Sequence, residues 1–460
     1  MKKTNKDQRD AIDLSTVNVF ALFRKYFIPT LLGMVSISAV TVVDGIFVGH
    51  GVGSDGIAAI NICCPALMLL TGIGLMIGAG SSVVAALHLS QNKEKAARIN
   101  VTQAMALATI AALIPTLIVL IFPTQVSLWL GSSQNLLPMV KDYLIWFAPA
   151  WMFQLWTAIG LFAIRLDGKP KLAMFCSLVS ALLNVVLDWL FIFPFGWGVM
   201  GAAFATAISV AVGGIIAMVY LLFYARHLRL YPVKLSRKSL QLSLRNLGYQ
   251  CRIGSSALLG EATLAVLIFV GNYVFMKYLG DDGVGAFGIA CYYTPFVFMV
   301  GNAIAQSAQP IISFNYGLNL WPRVHQTRRI ALCTAVLCGA VVTAAFSFFP
   351  EGLVGLFIPL DTNAADIAVK GFPYFSSAFV FFVMNITIIG YYQSLEKMKP
   401  AITFSLLRGC IFLVPAFLLL PSFLGDAGIW LALGLSELLT LICALSYSLS
   451  VNQQTSAKNP

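Results

Sequence analysis

The sequence predicts an all-α polytopic membrane protein, with twelve transmembrane helices in two six-helix lobes related by a pseudo-two-fold internal repeat. Three observations carry that expectation. Hydrophobic residues fill 59% of the 460 positions, charged residues only 10%, and the mean hydropathy is +0.86, which leaves too little polar surface for a water-soluble globule. Apolar windows of about 20 residues, long enough to cross hydrocarbon, recur along the whole chain. A set of landmarks in the first half returns in the second at a constant spacing.

In chain order the windows are 24–49, 57–89, 97–122, 137–163, 171–193, 199–224, 252–278, 284–314, 328–349, 367–392, 401–420 and 428–450. Several exceed the bilayer requirement, which implies tilt or extension into the headgroups. Gly72, Gly74, Gly78 and Gly80 in the second window offer close helix contacts. They form no phosphate loop, because the chain's Gly-Lys pair is followed by Pro170 rather than Ser or Thr. Pro194 and Gly196 close a short turn between the fifth and sixth windows.

Gly53-Ser-Asp-Gly-Ile-Ala-Ala-Ile60 matches Gly280-Asp-Asp-Gly-Val-Gly-Ala-Phe287 at an offset of 227, which also superposes Gly74 on Gly301 and Phe122-Pro123 on Phe349-Pro350. A two-residue slip pairs Asp167 with Glu396 before Gly198 aligns with Gly425 at 227 again. Six spans per half return the second half to the starting side, so the halves are parallel repeats. The expected domains are an amino-terminal lobe at 1–225, a basic linker at 226–251 and a carboxy-terminal lobe at 252–460.

Net charge is +11, and its distribution argues against nucleic acid as the partner. With the amino terminus in the cytoplasm, 26 of the 29 Lys and Arg fall inside, leaving Lys141, Lys277 and Lys370 outside. Both termini are expected to be cytoplasmic. The linker carries basic residues and no acid, so anionic membrane lipids are its expected neighbours. Of 18 acids, eight fall outside and six inside, which leaves Asp44, Asp188, Glu261 and Glu437 within spans. Nine Cys without a Cys-x-x-Cys pair and four scattered His suggest buried thiols and no transition-metal site. The polar, basic first 20 residues do not resemble a cleavable signal peptide.

An ionised group in hydrocarbon costs roughly 2.5 to 3.5 kcal/mol, so an intramembrane Asp is a functional candidate by default. Asp188 lies eight residues before Gly196 and Thr206 eight after Gly198, which puts both about 12 Å below the outer surface. Asp44 reaches a similar depth in the first span, and Asn184 is one turn from Asp188. These four residues are therefore expected to form one polar cluster. Two carboxylates, an amide and a hydroxyl supply hard oxygen ligands for Na⁺, or a pair that shares a proton.

Several motifs resemble the multidrug and toxic compound extrusion family: Asp44-Gly-Ile-Phe-Val-Gly49, Asn184-x3-Asp188, Gly198-x2-Gly201-Ala-Ala-x-Ala-Thr206, Arg165-Leu-Asp-Gly-Lys-Pro170 and Gln309-Pro-Ile-Ile-Ser-Phe-Asn-Tyr-Gly317. The resemblance spans nearly the whole chain. It implies a secondary antiporter of the bacterial cytoplasmic membrane, monomeric and without cofactor, that exports amphipathic organic cations against inward H⁺ or Na⁺. It also assigns the cation site to Asp44, Asn184, Asp188 and Thr206, and a first-helix hinge to Pro29. Glu261 resembles a second-lobe acid of some bacterial members. The tenth window lacks the acid that would complete that site, and offers Asn385 instead.

Further substrate or second-lobe candidates are Glu437, Gln306 and Tyr293, the last within an aromatic set comprising Trp146, Trp151, Trp156, Tyr292 and Phe296 that suits cation–π contacts. A flippase-like exporter of lipid-linked or other amphipathic metabolites is the alternative with this architecture. It calls for cationic residues in the cavity, whereas the reading by side leaves only acids in the spans. A membrane enzyme or receptor would need intramembrane His, paired catalytic motifs or an extramembrane domain. None of these is legible.

Overall fold

The computed structural model describes residues 14–132, 134–232 and 236–456. The two chain termini, and 233–235 of the linker, lie outside the described residues.

All twelve apolar windows fall on helices, and the described residues contain no strand. Labelled by span, α1 is Val19–Gly51, α2 Ser54–Ser90 and α3 Glu94–Ile121. Next come α4 at Leu137–Leu166, α5 at Pro170–Ile192, α6 at Gly198–Tyr224, α7 at Ser239–Gly280, α8 at Asp282–Gly317 and α9 at Trp321–Phe348. Asn363–Ser376 and Phe379–Ser394, bent by 46°, make α10, and Met398–Ser448 breaks at Gly425 into α11 and α12. Counted with Met398–Ser448 whole, ten helices among the described residues are long and apolar enough to cross a bilayer. The bent pair is the eleventh, and the break at Gly425 yields the twelfth.

The repeat has a backbone cause. Gly53 and Gly280 have φ of 94° and 65°, and Gly198 and Gly425 have 54° and 58°, so each pair sits at the same offset with the same left-handed geometry. Any L side chain there would cost about 1–2 kcal/mol, which makes glycine the natural break point. Asn92 and Asn319, at φ 57° and 59°, end α2 and α8 in the same way. Phe122 and Phe349 precede their prolines with φ of −125° and −129°. One tertiary bond repeats too: Thr116 Oγ1 donates to Ala148 O and Thr343 Oγ1 to Ser376 O, each at 2.9 Å. At the loop after α4 and its counterpart after α10 the backbone corrects the expected alignment, because Gly168 (φ 86°) pairs with Glu396 (φ 55°) and Asp167 with Leu395. Both left-handed residues follow a helix carboxy terminus, where backbone conformation rather than side-chain charge sets equivalence.

The chain forms two compact units: Met1–Leu258 with Gln306–Thr327, and Leu259–Ala305 with Arg328–Pro460. In the first unit α1 packs along α5, α5 along α6, and α2 and α6 against α4. Glycines permit these approaches: a Cβ on Gly213 would lie 2.4 Å from Ser180 Oγ, and one on Gly214 2.6 Å from Phe153 O. The start of α7 is seated equally tightly, since a Cβ on Gly80 would fall 1.9 Å from Gln250 O. The second unit has an aromatic core. Phe275 stacks on Phe287 at 4.4 Å, and Trp430 fills the space that a Cβ on Gly371 would need.

Candidate cation site

Within the first unit, α5 turns Asn184 and Asp188 inward, with Asn184 buried and Asp188 0% exposed. Thr206 Oγ1 donates to Ala202 O of its own helix at 2.9 Å, which leaves its lone pairs to accept Asn184 Nδ2 at 3.3 Å. That bond ties α5 to α6. Asp44, half-buried on α1, brings its carboxyl against that of Asp188. Neither oxygen of Asp188, nor Oδ1 of Asp44, has a hydrogen-bond partner. Two ionised carboxylates are both acceptors only, so their approach is unfavourable until a proton or a cation enters between them.

Three neighbours escaped the sequence reading. The buried Tyr143 of α4 lies within electrostatic reach of Asp44, Asp188, Cys63 and Cys64, which places a phenol and two thiols in the same neighbourhood as the acid pair. A hydroxyl inside the fourth apolar window was the one available signal.

The other candidates are dispersed. Pro29 is buried in α1, which continues through it as one helix. Gln306, in the first unit, accepts a 2.6 Å bond from Arg165 Nη1. Tyr293 donates to Leu353 O at 2.9 Å and packs on Phe346 and Phe357, which makes it a core residue of the second unit. In that same unit Glu261 is buried and its Oε1 has no partner. Glu437 is different: its Oε1 accepts Arg408 Nε at 2.9 Å and Nη2 at 2.7 Å, and its Oε2 accepts Asn385 Nδ2 at 2.7 Å. Phe382 faces the guanidinium at 4.3 Å. Of the tryptophans, Trp156 Nε1 donates to Thr109 Oγ1 at 2.9 Å, Trp151 is buried, and Trp146 packs on Phe204.

Two cations assigned to the cytoplasmic face by sequence are therefore inside the helices. Arg408 is 2% exposed in a five-residue π turn, Leu407–Ile411, that opens α11 beside Glu437. Arg165 is buried on α4, bonded to Gln306 and set over the Phe162 ring at 5.5 Å. The expectation of spans holding acids alone is thus corrected. Hydropathy assigns a cation near a helix end to the loop, whereas local packing decides whether it turns inward.

Asp167, at the end of α4, is a structural hub. Its carboxylate accepts Tyr220 Oη at 2.6 Å and the backbone N–H groups of Arg226, His227 and Leu228 at 2.8 to 3.2 Å. The first residues of the linker are pinned rather than solvated.

The MatE family profile matches residues 29–190 and 257–418, two stretches whose starts are 228 residues apart, in keeping with the internal repeat. The multidrug export protein MepA of Staphylococcus aureus (strain MSSA476) is 23% identical over 428 residues, covering 93% of each chain. The probable multidrug resistance protein YoeA of Bacillus subtilis (strain 168) is 25% identical over 356 residues, covering 75% of this chain and 74% of its own. A solved outward-facing structure of a multidrug resistance MATE family transporter superposes with a TM-score of 0.88 at 19% identity, covering 99% of both chains. With both repeats matched by the family profile over more than half its length, the chain belongs to the MatE family of membrane transporters.

Proposed function

We propose that this chain is a secondary active exporter of amphipathic, mostly cationic organic compounds, driven by inward H⁺ or Na⁺ at Asp44, Asn184, Asp188 and Thr206. The observation that carries the reading is the opposed, donor-less carboxyl pair of Asp44 and Asp188, which needs a positive charge between them. The relatives' names, a multidrug export protein and a probable multidrug resistance protein, support the substrate class. Glu261 is the candidate counter-charge for a cationic substrate, because its Oε1 is free of partners while both carboxylate oxygens of Glu437 are taken, Oε1 by Arg408 and Oε2 by Asn385 Nδ2. Pro29, by removing one backbone hydrogen bond from α1, marks the hinge about which that helix repacks when the carboxyl pair is neutralised. The flippase alternative would lean on Arg165, yet that guanidinium is already engaged with Gln306 and Phe162.

Purified protein in proteoliposomes tests this reading. A substrate gradient should drive proton or Na⁺ flux in the opposite direction, and the flux should depend on one of the two ions. Reciprocity requires that saturating the coupling cation weaken substrate binding by the same factor with which substrate weakens cation binding; about 1.4 kcal/mol would make that tenfold. Asp44→Asn should remove the dependence. Equal substrate affinity with the cation absent and saturating would exclude competition at this site.

The lobes are proposed as 1–225 and 252–460 with the linker 226–251 between them, in the bacterial cytoplasmic membrane with both termini inside. In a variant whose native cysteines are replaced, a Cys at Ser236 should react only with impermeant reagent applied from inside, and one at Asp361 only from outside. Both positions are exposed. Reversed labelling would overturn the topology.

A further inference from the structure

The start of α7 is amphipathic in the wrong sense for a water-bathed linker. Its protein-facing side is polar: Ser243 Oγ accepts Gln103 Nε2 at 2.8 Å, Asn246 Nδ2 donates to Gln103 Oε1 at 2.6 Å, and Gln250 Nε2 donates to Asn100 Oδ1 at 3.1 Å. Away from that side it exposes Leu240 at 57% and Leu244 at 62% on one flank and Leu242 at 57% on the other. Such a helix is docked by hydrogen bonds and offers leucines together with Arg245 and Tyr249 to its surroundings. Depth identifies the surroundings. Asn100, which Asn246 also contacts, directly precedes the apolar run of α3, so this turn of α7 lies where hydrocarbon gives way to headgroups.

At that level a cavity of about 590 Å³ opens on the outward face, lined by Leu242, Arg245, Asn246, Gly248, Tyr249 and Arg252. Arg245 and Arg252 are seven residues apart, two helical turns or about 10 Å, and so lie on one face. Gly248 keeps the space between them clear, since a Cβ there would meet nothing within 4 Å. Among the described residues neither guanidinium is in an ion pair, and 226–252 contains no acid. Two cations around an open floor, with Tyr249 and Leu242 alongside, match a phosphate attached to an acyl chain better than a soluble anion.

We propose that this groove is a binding site for an anionic phospholipid of the inner leaflet, its phosphate held by Arg245 and Arg252 and its chain laid along Leu242. The proposal rests on the inner-side placement of the linker in the topology above. It is read without transport, so it can fail while the antiporter reading stands.

The test uses the full chain, purified in detergent with phosphatidylglycerol and the neutral phosphatidylcholine supplied together, and retained lipid counted by intact mass. Wild type should keep phosphatidylglycerol in preference. Arg245→Gln and Arg252→Gln should each weaken retention about fivefold, and the double variant about 25-fold, the scale of one surface cation each. Lys277→Gln, on the opposite side, should change nothing. Unfolding temperature identifies any variant that fails to fold, and Arg245→Lys with Arg252→Lys then serves as the gentler pair, keeping the charge-driven preference while losing bidentate grip. Equal retention of both lipids by wild type, unaltered retention in the folded double variant, or displacement by inorganic phosphate at the lipid's own concentration would each overturn the proposal.

Discussion

Asp188→Asn is expected to yield a folded protein that has lost coupled export. The substitution keeps the volume of a fully buried side chain and forfeits no bond from a protein donor group, because neither carboxyl oxygen accepts one. It gives Asp44 an amide donor in place of an opposing acceptor, so stability should hold or rise by less than about 1 kcal/mol. What disappears is the group able to exchange a proton or ligate a cation. Export should fall to the level of empty vesicles. Asn184→Ala separates ligation from charge: it removes the 3.3 Å bond to Thr206 but leaves both acids, and at about 0.6 kcal/mol for a membrane hydrogen bond, cation affinity should drop about threefold with transport retained. Ion-driven efflux measured at matched protein levels decides the matter. Wild-type efflux by Asp188→Asn would reduce this carboxylate to packing.

The second large effect belongs to stability rather than transport. Arg408 and Glu437 are almost wholly removed from solvent, with both bonded guanidinium nitrogens on one carboxylate oxygen and Asn385 on the other. Removing either partner strands a charge in an apolar lobe. Arg408→Leu or Glu437→Leu alone should therefore destabilise the protein by about 3–5 kcal/mol. Replacing both at once removes the stranded charge, and buried pairs exchanged for apolar residues are often neutral or better, so the double variant should recover most of the loss. Chemical unfolding of the four proteins in one detergent gives the cycle. Losses that simply add would show that the two residues act independently, against the bond lengths.

Much of this protein was decided in one dimension. Hydropathy located every span, because a helix in hydrocarbon must satisfy its own backbone and be apolar along its length. The glycines at 53, 198, 280 and 425 marked the breaks, since left-handed φ is a local property of the chain. The rarity of acids in such spans was enough to single out Asp44 and Asp188. Only the tertiary structure decided which buried charges have company. Glu437 and Glu261 look alike in sequence, yet Glu437 meets Arg408 across 29 residues while Glu261 Oε1 meets no donor. No periodicity encodes that pairing, because it depends on how α11 opens at its π turn and which face α12 presents to it. The same holds for the linker, which in sequence shows only a basic segment beside anionic lipid, while the structure decides that Asn100 and Gln103 of α3 claim its polar side and leave leucine and arginine outside. Hydropathy fixes which stretches are spans; whether a charge near a span's end turns inward, as Arg165 and Arg408 do, and which partner it meets are fixed by packing between helices far apart in sequence.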